Sequence, residues 1–125
     1  MTTEMIGRTR SAEAAADLST KQNYIVKLDS TGKAALADSG TAAIVGVLQN
    51  YPASGEQATY AFTGTAKVVA GGSITPGAWV TSDGNGKAVA TTTDKNVVLG
   101  RYVGTSTASS GDLVEIELGI FTLSA

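Results

Sequence analysis

Tyr24-Ile25-Val26-Lys27-Leu28-Asp29-Ser30-Thr31-Gly32-Lys33-Ala34 returns further along the chain as Ala78-Trp79-Val80-Thr81-Ser82-Asp83-Gly84-Asn85-Gly86-Lys87-Ala88. Superposed without gaps, Ile25 meets Trp79, Val26 falls on Val80 and Asp29 on Asp83. The match continues: Ala43-Ile44-Val45 meets Val97-Val98-Leu99, and Gly46 meets Gly100. The shared plan is strand, Asp-x-x-Gly-Lys-Ala turn, strand, polar loop, then an apolar triplet ending in Gly. One such unit cannot bury its apolar face alone, whereas two can. The repeat therefore predicts one body closed by two related β-units.

Outward from these stretches the chain keeps the same texture. Short apolar runs predict strands over 24–28, 33–37, 43–49, 57–63, 65–70, 78–82, 87–91, 97–103, 112–118 and 120–123. Turn residues separate them, as in Asp29-Ser30-Thr31-Gly32, Pro52-Ala53-Ser54-Gly55, Asp83-Gly84-Asn85-Gly86 and Ser109-Ser110-Gly111. Many short strands at such spacing point to an all-β fold, a small barrel- or sandwich-like body. No long helical period follows residue 22. The length of 125 residues allows one domain.

Residues 1–22 read differently. Ser11-Ala12-Glu13-Ala14-Ala15-Ala16-Asp17-Leu18 is alanine-rich and predicts a short helix with Ser11 as its N-cap. Two of the chain's three arginines, Arg8 and Arg10, lie here, near Met5 and Ile6. The segment reads either as a frayed terminus or as a flexible arm that orders on a partner. The expected division is an arm over 1–22 and a β-body over 23–125.

The composition removes most chemistry. Cysteine and histidine are both 0, so there is no disulfide framework, no thiolate nucleophile and no Cys/His zinc site. The side chain that most often moves protons near neutral pH is missing too. A net charge of −2 with no basic patch points away from nucleic acid. No apolar run reaches the length of a membrane-spanning helix, and Met1-Thr2-Thr3-Glu4 does not open a secretory signal. The expectation is a soluble protein made in a cytoplasm, with no membrane partner.

Motif by motif, catalysis and cofactor binding fail. A phosphate loop needs a Gly separated by four residues from Gly-Lys, where Lys27 and Thr81 stand. A dinucleotide fingerprint from Gly84-x-Gly86 would need glycine at Val89. A calcium loop from Asp83 would place Lys87 where an oxygen ligand belongs; a hairpin turn accounts for the stretch better. Glu115 and Glu117 alternate with Val114, Ile116 and Leu118, which suits an outward strand face guarding against aggregation more than a catalytic pair. Trp79 is expected in the core or at an oligomer interface, and Tyr51, before Pro52, at an exposed loop. No catalytic, cofactor or metal residue is assigned, and the chain is expected not to be an enzyme.

One ordered set of residues carries a resemblance. It runs from Gly46-Val47-Leu48-Gln49-Asn50 through Pro52, Gly55, Gly64 and Lys67-Val68 to Ala70-Gly71-Gly72-Ser73-Ile74-Thr75-Pro76-Gly77. It continues through Val80-Thr81-Ser82-Asp83 and Gly86-Lys87-Ala88 and ends at Gly111-Asp112-Leu113-Val114-Glu115-Ile116. This order resembles the small capsid decoration, or cement, proteins of tailed phages, including a family once labelled as phage recombinases. The missing phosphate loop opposes the recombinase label. The resemblance implies a β-body, usually a homotrimer, on the outer surface of the icosahedral head of a virion. There it would bridge major capsid proteins after expansion. It also implies an arm touching the lattice, for which Met5, Ile6, Arg8 and Arg10 are the candidate contacts. The alternative is a trimeric β-module of a fibre, a tail or a host-surface binding protein.

Overall fold

A computed structural model describes residues 7–124. It contains ten strands: β1 (Thr9–Glu13), β2 (Ile25–Leu28), β3 (Ala34–Leu36), β4 (Ile44–Leu48), β5 (Gln57–Ala61), β6 (Thr65–Val69), β7 (Trp79–Ser82), β8 (Ala88–Ala90), β9 (Val97–Tyr102) and β10 (Leu113–Thr122). They form two five-stranded sheets, ordered β1-β5-β4-β2-β3 and β6-β10-β9-β7-β8. Every pairing between these strands is antiparallel. The fold is all-β, and the sheets remain open rather than closing into a barrel.

The two strand orders are the same once β1 is matched to β6, β2 to β7, and so on to β5 with β10. The duplication therefore spans both sheets, beyond the stretch legible in the sequence. Its details repeat at the level of single bonds. Asp29 Oδ1 accepts from the N–H groups of Thr31 and Lys33 at 2.9 and 3.0 Å. Asp83 Oδ1 accepts from Asn85 and Lys87 at 2.8 and 3.0 Å. Each carboxylate thus closes its own turn, a common use of Asp at such positions. The calcium-loop reading of Asp83 finds its carboxylate already taken up by backbone amides.

Close backbone approach explains the shared glycine of the apolar triplets. A Cβ at Gly46 would collide with the carbonyl oxygen of Ala61, and one at Gly100 with that of Glu117. Any side chain there would push β4 off β5, or β9 off β10. Another pair shows the same backbone with different residues. Gly77 has φ +86°, and its counterpart Asn23 has φ +72°, the left-handed region that Asn tolerates better than most residues. Asn23 N–H donates to Leu48 O, and Gly77 N–H to Tyr102 O, both at 2.8 Å.

The N-terminal region departs from expectation. Thr9–Glu13 is a strand, not the start of a helix over Ser11–Leu18. It pairs with β5 from Thr9 opposite Ala61 to Glu13 opposite Gln57. An isolated helix so short is marginal in water, whereas the strand satisfies a free edge of β5. Beyond it, Ala14 and Leu18 are buried, with Ala14 N–H donating to Glu56 O and Leu18 N–H to Pro52 O. Thr9–Leu18 thus stands in the first unit where Thr65–Ile74 stands in the second. The strands expected over 112–118 and 120–123 are one strand, β10, with a register shift between Leu118 and Phe121.

Each sheet has a front and a back. The front of the first carries Val26, Leu48, Ala58 and Tyr60, covered by Ala14 and Leu18 of the same unit. The front of the second carries the counterparts Val80, Tyr102, Val114 and Ile116, with Ala70 and Ile74. Ile25 and Val47, on the back of the first sheet, belong to this second core. The units therefore stack back onto front. Hydrogen bonds sew the seam: Ile25 N–H to Gly86 O at 2.8 Å, Val97 N–H to Gly40 O at 2.6 Å, and Val69 N–H to Asn23 O at 3.0 Å.

Two predictions follow from these contacts. Gly46→Ala and Gly100→Ala are each expected to cost about 1–3 kcal/mol through overpacking. Gly119→Ala, where an added Cβ meets nothing within 4 Å, should stay within about 0.5 kcal/mol of the parent; chemical denaturation measures all three. The Thr31 hydroxyl and the Lys33 N–H hold the Asp29 carboxyl below its ordinary value. A lowered folded value stabilises the fold above the unfolded pKa of about 3.9 and is lost as pH falls through the folded value. An NMR titration of the side-chain carboxyls should place the Asp29 midpoint below about 3.9; a midpoint at or above it would refute the turn assignment.

Candidate contact surface

Among the described residues, no group of three His, Cys, Asp or Glu is placed to hold a metal ion. Glu115 and Glu117 alternate with buried Val114 and Ile116, so they project from the back of the second sheet. Across the strands, Glu115 stands opposite Lys67, and Glu117 opposite Arg101. Opposite charges directly across a sheet are a stabilising arrangement. The two carboxylates form a charged strand face rather than an isolated acid–base pair.

The four candidate contacts divide. Met5 and Ile6 lie outside the described residues. Arg8 enters the first sheet through its backbone: its N–H donates to Thr63 Oγ1 at 2.6 Å, and its carbonyl accepts from Phe62 N–H at 3.1 Å. Arg10, on β1, sets its guanidinium 5.5 Å from the centre of the Phe62 ring. The strand alternation places Arg10 on the front of the first sheet. Arg8 and Arg10 thus serve different surroundings.

Arg10 borders a broad concavity. Leu28, Ile44, Val45, Tyr60, Phe62 and Ile120 complete the lining of a groove of about 480 Å³. It runs along the front of the first sheet, past the part covered by Ala14 and Leu18, to the edge where Ile44 and Ile120 join the core between the sheets. The matching positions of the second unit are Ala66, Ser82, Leu99 and Ile116, all buried. That region lies beneath the first unit.

A second patch sits on the back of the second sheet. Trp79 and Phe121 meet edge to face, with ring centres 5.1 Å apart at 83°. The Arg101 guanidinium lies 4.0 Å from the centre of the Trp79 ring. Phe121 is 39% exposed. Hollows of about 290 and 260 Å³ flank Trp79, one beside Ala90 and Thr92, the other beside Gly100 and Leu118. Trp79, expected in the core or at an oligomer interface, lies partly exposed on the back of the second sheet, outside both cores. Arg101, Phe62 and Phe121 were missed, since a lone Arg or Phe in a strand carries no signal until its cross-strand neighbours are known. Tyr51 is exposed at a loop, as its place before Pro52 predicts.

The sequence profile of the phage cement proteins matches residues 6–120, across both units. The chain belongs to the phage cement protein family. A search of curated proteins finds no match. Among solved structures, the N base of the head fibre protein gp8.5 of bacteriophage phi29 is similar, with a TM-score of 0.66 and 19% identity. The similarity covers 94% of this chain and 98% of that one, and at this identity it speaks for the fold.

The stacked arginines are surface contacts, so the fold should survive their loss. Arg10→Ala and Arg101→Ala are each expected to cost less than about 1 kcal/mol, the scale of an exposed cation–π contact. Thermal melts would check this; a loss of folding in either variant would make the residue a core element instead.

Proposed function

We propose that this cement-family protein decorates the outer surface of the expanded icosahedral head and stabilises it by bridging neighbouring major capsid proteins. The observation that carries the reading is the family match over residues 6–120, which includes both sheets. The phi29 relative in fold is itself part of a head fibre, in keeping with a place on the virion. The role is structural and not enzymatic: aromatic and arginine side chains, suited to protein contact, supply the chemistry of the described surface.

In this reading the chain is made in the host cytoplasm and joins the head as a homotrimer, without nucleic-acid or membrane partners. Several weak contacts made by one oligomer add through effective concentration. The segment before β1, with Met5, Ile6 and Arg8, touches the capsid lattice. The bonds from Arg8 to Thr63 and Phe62 give that segment a fixed root on the body. Arg10 faces the groove instead.

A second reading, a trimeric β-module of a fibre, draws on the phi29 neighbour, which is a fibre base. Electron microscopy of virions carrying labelled protein separates the two: cement spreads over the head lattice, whereas a fibre or tail module appears at appendages.

Co-sedimentation with emptied, expanded heads of the cognate phage tests the proposal directly. The full chain should pellet with the heads and raise their resistance to heat. Deleting residues 1–6 together with Arg8→Ser should weaken binding about tenfold, about 1.4 kcal/mol, with an unchanged melting temperature. Binding equal to that of the full chain would remove the segment from the contact. No binding by the full chain would end the decoration reading.

A further inference from the structure

The back-on-front stacking inside the chain uses only half of what the repeat provides. The first unit presents its back to the front of the second. This leaves the back of the second unit and the front groove of the first without a counterpart among the described residues. These are the same two kinds of face that meet at the internal seam. We infer that they meet between chains: the Trp79–Arg101–Phe121 face of one copy docks head-to-tail into the Arg10–Tyr60–Phe62 groove of a second copy.

Three observations carry this. The first is continuity with an interface that already exists. Ile25 and Val47 on the buried back of the first sheet correspond to Trp79 and Arg101 on the open back of the second. Ala66, Leu99 and Ile116 on the covered front correspond to Arg10, Val45 and Tyr60 at the open groove.

The second is the direction of the sequence differences. Although Tyr102 in the seam answers Leu48 on the front of the first sheet, at the matched positions named above the internal seam has aliphatic residues where the open faces carry Trp79, Arg101 and Arg10. These amphipathic types are enriched where a surface must tolerate water before assembly and become dry after it. The third is charge. Glu117, exposed on the back of the second sheet, corresponds to buried Ala61, and Arg10 corresponds to buried Ala66. Both positions are uncharged at the internal seam. At the open faces they bear opposite charges, and since Glu117 already stands across from Arg101 on its own sheet, docking has Glu117 shared between Arg101 and the Arg10 of the next copy.

Because the two faces differ, the contact is heterologous, and repetition of one rotation closes a ring or extends a filament. The inference rests on the self-association proposed above and names its surfaces. Its tests contain no capsid, so they can fail or succeed independently of head binding.

Sedimentation and fluorescence of the full chain provide the first test. Trp79 is the only tryptophan in the sequence. Its emission should shift to shorter wavelength with rising concentration, in step with growth in mass above the 12.6 kDa monomer. Growth in mass with no change in Trp79 emission would overturn the inference, as would a monomer at all concentrations.

The second test uses complementation. Arg101→Glu with Phe121→Ser spoils one face, and Phe62→Glu spoils the other. Each variant alone is expected to sediment as monomer, and the mixture as a heterodimer through the one intact pair of faces. A mixed heterodimer also shows that both variants are folded. If Phe62→Glu alone keeps the parent mass, the contact is not head-to-tail as stated. If it instead abolishes head binding by a monomeric parent chain, the groove belongs to a capsid protein and the inference falls.

The third test avoids disruptive changes: a photo-cross-linking benzoylphenylalanine at position 121. Inter-chain products should map to peptides of β1 and β5, and products confined to other strands would refute the docking.

Discussion

Everything in this molecule hangs on the burial of the back of the first sheet against the front of the second. Ile25 and Val47 reach full burial only because Val68, Val80, Leu99 and Ile116 lie opposite in the same core. A five-stranded sheet with one apolar face can fold against its own loops. The first sheet is apolar on both faces, so it requires a second layer. With no cysteine in the chain, that layer supplies the cohesion that disulfides provide in many small secreted domains. The seam also holds the two fronts and two backs in fixed relation, which makes the exposed faces rigid platforms.

Much of the fold was legible in the sequence because its turns are chemically explicit. Asp-x-x-Gly-Lys-Ala states a carboxylate that accepts two amides and a glycine with positive φ, and both copies behave so. The apolar triplets ending in Gly46 and Gly100 likewise encode close strand approach. What was lost is the repeat beyond those stretches. The connection from Leu18 to Asn23 is longer than that from Ile74 to Gly77, so an ungapped comparison falls out of register before β1. The pairs Gly55 with Gly111, and Ala14 with Ala70, would have recovered it, since their backbones bond alike: Gly55 N–H to Ala14 O, and Gly111 N–H to Ala70 O. Local alanine content favoured a helix, and an edge that needed pairing overrode it.

The contact surface was legible only in fragments. Arg10 and Trp79 stood out as rare residue types, but their partners did not, because Phe62 and Phe121 reach them across strands. Arg8 and Arg10 looked alike as two basic residues in one polar segment. Strand geometry separated them, giving Arg8 a backbone anchor at Thr63 and Arg10 a ring to rest on. Family membership, rather than any arrangement of side chains, supplied the phage setting.

The order of the two units along the chain has a consequence for synthesis. Residues of the first sheet leave the ribosome before the second sheet exists. During that interval Ile25, Val47 and Ala61 form an apolar surface with nothing to cover it, the kind of transient exposure that invites aggregation. The second sheet, made last, arrives with an aliphatic front to bury and a charged, aromatic back that water tolerates. The nascent chain is therefore most vulnerable midway through translation, and the same stacking that gives the finished protein its cohesion ends that vulnerability.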